Sequence, residues 1–71
     1  MPQVNGSLIR RRRQRLGIKL REFSALSGVG YKTLANIECG HQPNGVSIEV
    51  VHKIADALGT EADELLARVA A

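Results

Sequence analysis

The sequence predicts an all-α domain, and three features predict it. Apolar residues recur at helical spacing in five segments, and glycine punctuates the chain at Gly17, Gly28, Gly40 and Gly59. No stretch alternates polar and apolar residues as a strand does. With one Phe, one Tyr and no Trp, the core has to be aliphatic. Seventy-one residues make one small domain, near the lower end of what folds without metal or disulfide. The single Cys39 excludes an internal disulfide.

Each element has its own signal. Residues 1–6 read as a flexible N-terminal arm, after which Ser7 can cap a first helix with Ile9 and Leu16 on one face. Gly17 and the apolar Ile18 after it fit a Schellman end. A second helix spans about 20–27, with Phe23 inward, Gly28 as its stop and Lys19 as a poor cap. A third spans about 31–39, with Leu34 and Ile37 inward and Gly40 closing it. After the turn-rich 42–45, Ser47 caps a fourth helix carrying Ile48, Val51, Ile54, Ala55 and Leu58, ended by Gly59. Thr60 with Asp63 three residues on resembles a capping box that opens a fifth helix bearing Leu65, Leu66 and Val69.

Charge is distributed unevenly. Residues 1–38 hold eight Lys/Arg against two acids, whereas residues 39–71 hold two against five, within a net charge of +3. A basic first half points to a polyanion on one side of the molecule. The run Arg10–Arg13 with Arg15 makes the point loudest, but consecutive helical residues lie about 100° apart and cannot all grip one surface. No apolar run approaches a membrane span and no basic-then-apolar leader opens the chain, so a cytoplasmic protein, associated with a prokaryotic or phage nucleoid, is expected. Cys39-x-His41, with His52 distant and no second Cys, lacks zinc spacing. No catalytic motif is present, so neither an enzyme nor a cofactor or metal is expected.

The middle pair carries the function. From Leu20 to Cys39 two short helices are joined by Ser27-Gly28-Val29-Gly30, and small residues at Ser24, Ala25 and Ser27 permit close approach. That is helix-turn-helix geometry, although an ordinary αα-hairpin has the same outline. The run G17-I-K-L-R-E-F-S-A-L-S-G-V-G-Y-K-T-L-A-N-I-E-C-G40, followed by K-I-A-D-A-L-G, resembles the phage-repressor (Cro/CI, XRE) helix-turn-helix family over roughly residues 8–66. The resemblance implies a compact five-helix, lambda-repressor-like DNA-binding domain that acts on operator DNA as a symmetric dimer. The chain departs from the family where Lys19-Leu20 replaces a hydroxyl residue and Gln, and where Gly30 and Cys39 replace a capping residue and an Asn.

Tyr31, Lys32 and Asn36 match the family's variable base-reading positions, on the face opposite Leu34 and Ile37. Ala35 leaves room for a base methyl. Phosphate contacts are expected from Arg10, Lys19, Thr33, His41, Gln42 and Asn44. The family pairs a glutamate at Glu38 with an arginine of the first helix, and register makes that arginine Arg13. Leu65, Leu66 and Val69 are candidates for a homodimer contact, the alternative being that they complete the monomer core. The expected partner is double-stranded DNA. A sequence-specific transcriptional regulator, most simply a repressor on a palindromic operator, is the leading reading. An antitoxin-like protein-interaction module and an RNA binder remain as alternatives, the latter served by only one aromatic at the reading face.

Overall fold

The computed structural model describes residues 3–42 and 45–66. Five helices follow in order: α1 Gly6–Arg15, α2 Leu20–Ser27, α3 Tyr31–Glu38, α4 Ile48–Leu58 and α5 Ala62–Leu65. Helix α1 packs on α3 and α5, α2 packs on α3 and α4, and α4 packs on α5. Every helix sends at least one fully buried side chain to a common centre: Ile9, Phe23, Leu34, Val51 with Ile54, and Leu65. Burying each such side chain stabilises by roughly 1.5–3 kcal/mol, so no single helix dominates the core.

Several sequence expectations need correction at the helix ends. Asn5, rather than Ser7, caps α1, its side-chain oxygen accepting from the Leu8 N–H at 3.1 Å. Leu16, expected inward on the face of Ile9, is 55% exposed: its backbone is still helical, but it stands at the C-terminal end of α1, where its side chain stays in solvent. Gly17, at φ +74°, turns the backbone, and Ile18 and Leu20 cover the core in its place. The turn closes as expected of a Schellman end, with Ile18 N–H on the Arg13 carbonyl and Gly17 N–H on the Gln14 carbonyl. Helix α5 has Glu61 as its cap residue. The partner three residues on is Glu64, not Asp63, and its carboxylate accepts from both the Glu61 N–H and the Thr60 hydroxyl.

Residues 3–6 are not a free arm. Val4 is buried and forms an antiparallel bridge with Leu66, and the Asn5 N–H donates to the Leu65 carbonyl at 2.8 Å. The Gln42 amide holds Val4 from the other side, accepting from its N–H and donating to its carbonyl. An apolar side chain with a pocket and both backbone groups paired has no reason to stay in water. Residues 1–2 of the expected arm, and Val69, lie outside the described residues.

Two close contacts generate predictions. A Cβ placed on Gly6 would sit 2.1 Å from the Ile37 carbonyl oxygen, so α1 can meet α3 at this distance only with glycine. Gly6→Ala is expected to destabilise by about 2–3 kcal/mol, the usual range for overpacking, read as a lower denaturation midpoint at unchanged m-value. A loss below about 0.5 kcal/mol, the scatter of an ordinary surface change, contradicts that close approach.

Arg12 reaches the α4–α5 corner, donating to the Thr60 hydroxyl at 3.3 Å with its guanidinium 3.6 Å from Glu64. The Thr60 hydroxyl, the Glu61 N–H and the Arg12 charge together hold the Glu64 carboxyl below its ordinary value. A carboxylate whose value is depressed on folding contributes fully above its unfolded value, and that contribution is lost as pH falls through the lower folded one. The thermal midpoint of the wild type should therefore fall further between about pH 6 and pH 3 than that of Glu64→Gln, a range that brackets the ordinary carboxylate value. Parallel acid limbs in the two proteins contradict this role for Glu64.

Candidate nucleic-acid interface

The α2–α3 unit is held by its own turn. Gly28, at φ +74°, ends α2 in the left-handed conformation that a side chain resists, and its N–H donates to the Ser24 carbonyl at 2.9 Å. The Ser24 hydroxyl donates to the Val29 carbonyl at 2.6 Å, and the Ser27 hydroxyl accepts from the Val29 N–H at 3.2 Å. Val29 itself is buried, so the turn is anchored by one apolar side chain and two hydroxyls. Gly30 then occupies the cap position of α3 without a side chain to cap it. Lys19, equally unable to cap α2, is compensated by Glu22, whose carboxylate accepts from the Lys19 N–H at 3.4 Å.

Arg13 and Glu38 meet in a two-pronged ion pair. Arg13 Nε donates to Glu38 Oε2 at 2.8 Å and Nη2 donates to Oε1 at 3.0 Å. The remaining terminal nitrogen, Nη1, donates to the Ile18 carbonyl at 2.9 Å. The side chains are only 12% and 6% exposed. Hydrogen bonding to Glu38 raises the Arg13 guanidinium above its ordinary value despite the opposing effect of burial, with the Glu38 charge adding to it.

Along α3 the side chains divide into two rows. Leu34 and Ile37 are buried, whereas Tyr31, Lys32, Thr33 and Asn36 are exposed. Ala35 is half-buried and lines a cleft of about 220 Å³ with Arg10, Leu20 and Cys39, above the ion pair. Arg10 is thereby brought beside the C-terminal end of α3. Lys19 and His41 are exposed at opposite ends of the unit. Gln42 is drawn away from the expected phosphate set, because its amide is engaged with both backbone groups of Val4. Asn44 lies outside the described residues. Of the dimer candidates, Leu65 is fully buried in its own chain and Leu66 is half-buried against Val4.

A helix-turn-helix family model matches residues 9–65, the whole of α1 to α5 but for the first helical turn. The chain belongs to the helix-turn-helix family, of the XRE type. Members are DNA-binding transcriptional regulators rather than enzymes, and this helix-turn-helix protein is a DNA-binding transcriptional regulator. Among solved structures it is similar to the restriction-modification controller protein C.AhdI from Aeromonas hydrophila, at 29% identity and a TM-score of 0.76. That match covers 83% of this chain and 86% of the controller. No curated protein sequence matches the chain.

One residue of this helix-turn-helix face gives no sequence signal. Arg21, on α2, makes a cation–π contact with the Tyr31 ring, with 5.8 Å between its guanidinium carbon and the ring centre. Only the fold brings the two together, ten positions apart.

Breaking the Arg13–Glu38 pair from one side leaves a buried charge without a partner. Glu38→Ala is expected to destabilise by about 3 kcal/mol or more. The cycle with Arg13→Ala should return a coupling of at least about 1 kcal/mol. Additive single and double variants in urea denaturation contradict the brace.

Proposed function

We propose that this regulator binds a palindromic duplex operator as a homodimer and represses transcription from it. Base reading falls to Lys32 and Asn36, with Tyr31 and Ala35 at the edges of the same row. The observation that carries this reading is the exposed row on α3, backed by Leu34, Ile37 and the Glu38–Arg13 pair. Lysine donates to guanine O6/N7 and the Asn amide pairs with adenine N6/N7. Arg10, Lys19, Thr33 and His41 flank the row as phosphate contacts. The excess of acids falls in the second half of the chain, which leaves the half that carries α2 and α3 the basic one.

A dimer follows from what so short a helix can discriminate. One helix of eight residues reaches only a few base pairs, each good bidentate contact giving about 1–3 kcal/mol. Specific regulators need roughly 4–10 kcal/mol over random DNA, which two half-sites about 34 Å apart supply. Leu66 and Val69 are the candidate contact residues, Leu65 being committed to the core. The likeness to a restriction-modification controller supports a regulatory role of the same kind.

Selection of bound sequences from a random duplex pool, with sedimentation of the protein alone and on the selected site, tests the reading. An inverted repeat with centres one helical turn apart, bound by two chains, is the expected outcome. Stronger binding to structured RNA than to any duplex overturns it. On the selected site, Lys32→Ala and Asn36→Ala are each expected to cost about tenfold, within the range of one base contact, and to change random-duplex binding far less. Equal losses on both duplexes contradict base reading by these residues.

A further inference from the structure

Arg21 is the second residue of α2 and Tyr31 the first of α3. With Ser24 they line an open cleft of about 350 Å³ between the two helices. Arg21 lies over the Tyr31 ring, and both side chains are exposed. The carboxylates that might neutralise Arg21 are engaged elsewhere. Glu22 accepts from the Lys19 N–H, and Glu38 is held by Arg13. Among the described residues the ion pairs are Arg12–Glu64 and Arg13–Glu38, and the Ser24 hydroxyl is turned to the Val29 carbonyl. Arg21 therefore offers a full set of guanidinium donors to solvent, on a stem whose position an aromatic ring restricts.

A planar donor fork, lying over an aromatic ring and lacking an acid, suits an anion with two adjacent oxygens. The anion at hand beside a helix entering the major groove is the phosphodiester backbone, along which the first helix of such a pair lies. We propose that Arg21 clamps a DNA phosphate and that Tyr31 is its positioning residue. This rests on the duplex-binding reading above and adds to it a residue pair that spans both helices. Tyr31 then has a second duty besides its place in the α3 row: its ring fixes where the phosphate sits relative to Lys32. A guanidinium drawn to a ring face by a cation–π contact also loses less conformational freedom on binding than a free one.

The test uses fluorescence anisotropy on the selected duplex and on an unrelated duplex of equal length, across about 50–200 mM salt. Arg21→Gln is expected to weaken binding to both duplexes by a similar factor of about ten, the size of one charge-assisted contact. It should also make the log–log salt slope shallower by about one phosphate contact. Lys53→Gln, the same charge change on an exposed residue of α4, should leave the slope nearly unchanged. Tyr31→Phe keeps the ring and should match the wild-type slope, whereas Tyr31→Leu leaves Arg21 charged and should keep the slope while losing part of the affinity for both duplexes. Arg21→Lys should keep the slope while losing part of the affinity. Thermal midpoints of all variants establish that each is folded.

Wild-type slope and affinity in Arg21→Gln overturn the clamp while leaving duplex recognition intact. A loss confined to the selected duplex also overturns it, because Arg21 would then be reading a base. Failure of the wild-type protein to bind any duplex is a different result and removes the reading on which the clamp rests.

Discussion

One guanidinium holds the reading surface in place. Helix α3 has eight residues, too few to persist alone in water, and its cap residue is a glycine. Its direction therefore has to be imposed by neighbours. Arg13 does this through a two-pronged pair with Glu38 in the last turn of α3, while its third nitrogen holds the Ile18 carbonyl in the α1–α2 turn. A single side chain thus links α1, the approach to α2 and the end of α3. Gly6 adds the steric counterpart, allowing the start of α1 to press against the Ile37 carbonyl. With α1 so close, the ion pair is short and mostly shielded, which is where charge pairing is strongest and its loss most costly.

This constraint reassigns the arginine run. Residues spaced 100° apart must serve different surfaces, and the fold sorts them accordingly. Arg13 is the brace, and Arg12 ties α1 to Thr60 and Glu64. Arg10 stands over the cleft beside Cys39, and Arg11 and Arg15 remain in solvent. Two of the five guanidiniums are structural, so the positive field that attracts a polyanion comes from the others together with Lys19, Arg21 and Lys32. The residue that a sequence reader passes over, Arg21, is less encumbered by carboxylates than either Arg12 or Arg13.

What the sequence made legible were features that act locally or repeat. Glycines at φ +68° to +74° ended α1, α2 and α4 where the pattern said they would, because a left-handed residue is a local demand. Phe23, Leu34, Ile37, Val51 and Ile54 were legible as core through their spacing. Periodicity gives the angle round a helix but not how far along it a neighbour covers the surface, and Leu16, at the end of α1, was misplaced for that reason. Leu65 and Leu66, adjacent and chemically identical, cannot be sorted into inner and outer without knowing the docking angle of α5. Val4 has no periodic neighbours, and the Gln42 amide suits a phosphate as well as a peptide group. Only the meeting of both chain ends with the loop after α3 decided their roles. The Arg21–Tyr31 contact belongs to the same class, since nothing in either residue names the other.

The meeting of the chain ends also bears on how the docking of α5 and the reading helix relate. Val4 is bridged to Leu66 and held by Gln42, which follows α3 by four residues, while Leu65 fills the core beside α4. The backbone of Leu66 is therefore bridged to the same residue that holds the loop after α3. Because α1 packs on both α3 and α5, any strain applied at the α5 end is felt by the helix that carries Arg13. In a domain this small there is no intervening layer to absorb such strain. The docking of α5 and the orientation of α3 are thus set by one body, and a substitution that loosens the Val4–Gln42 clasp acts on both at once.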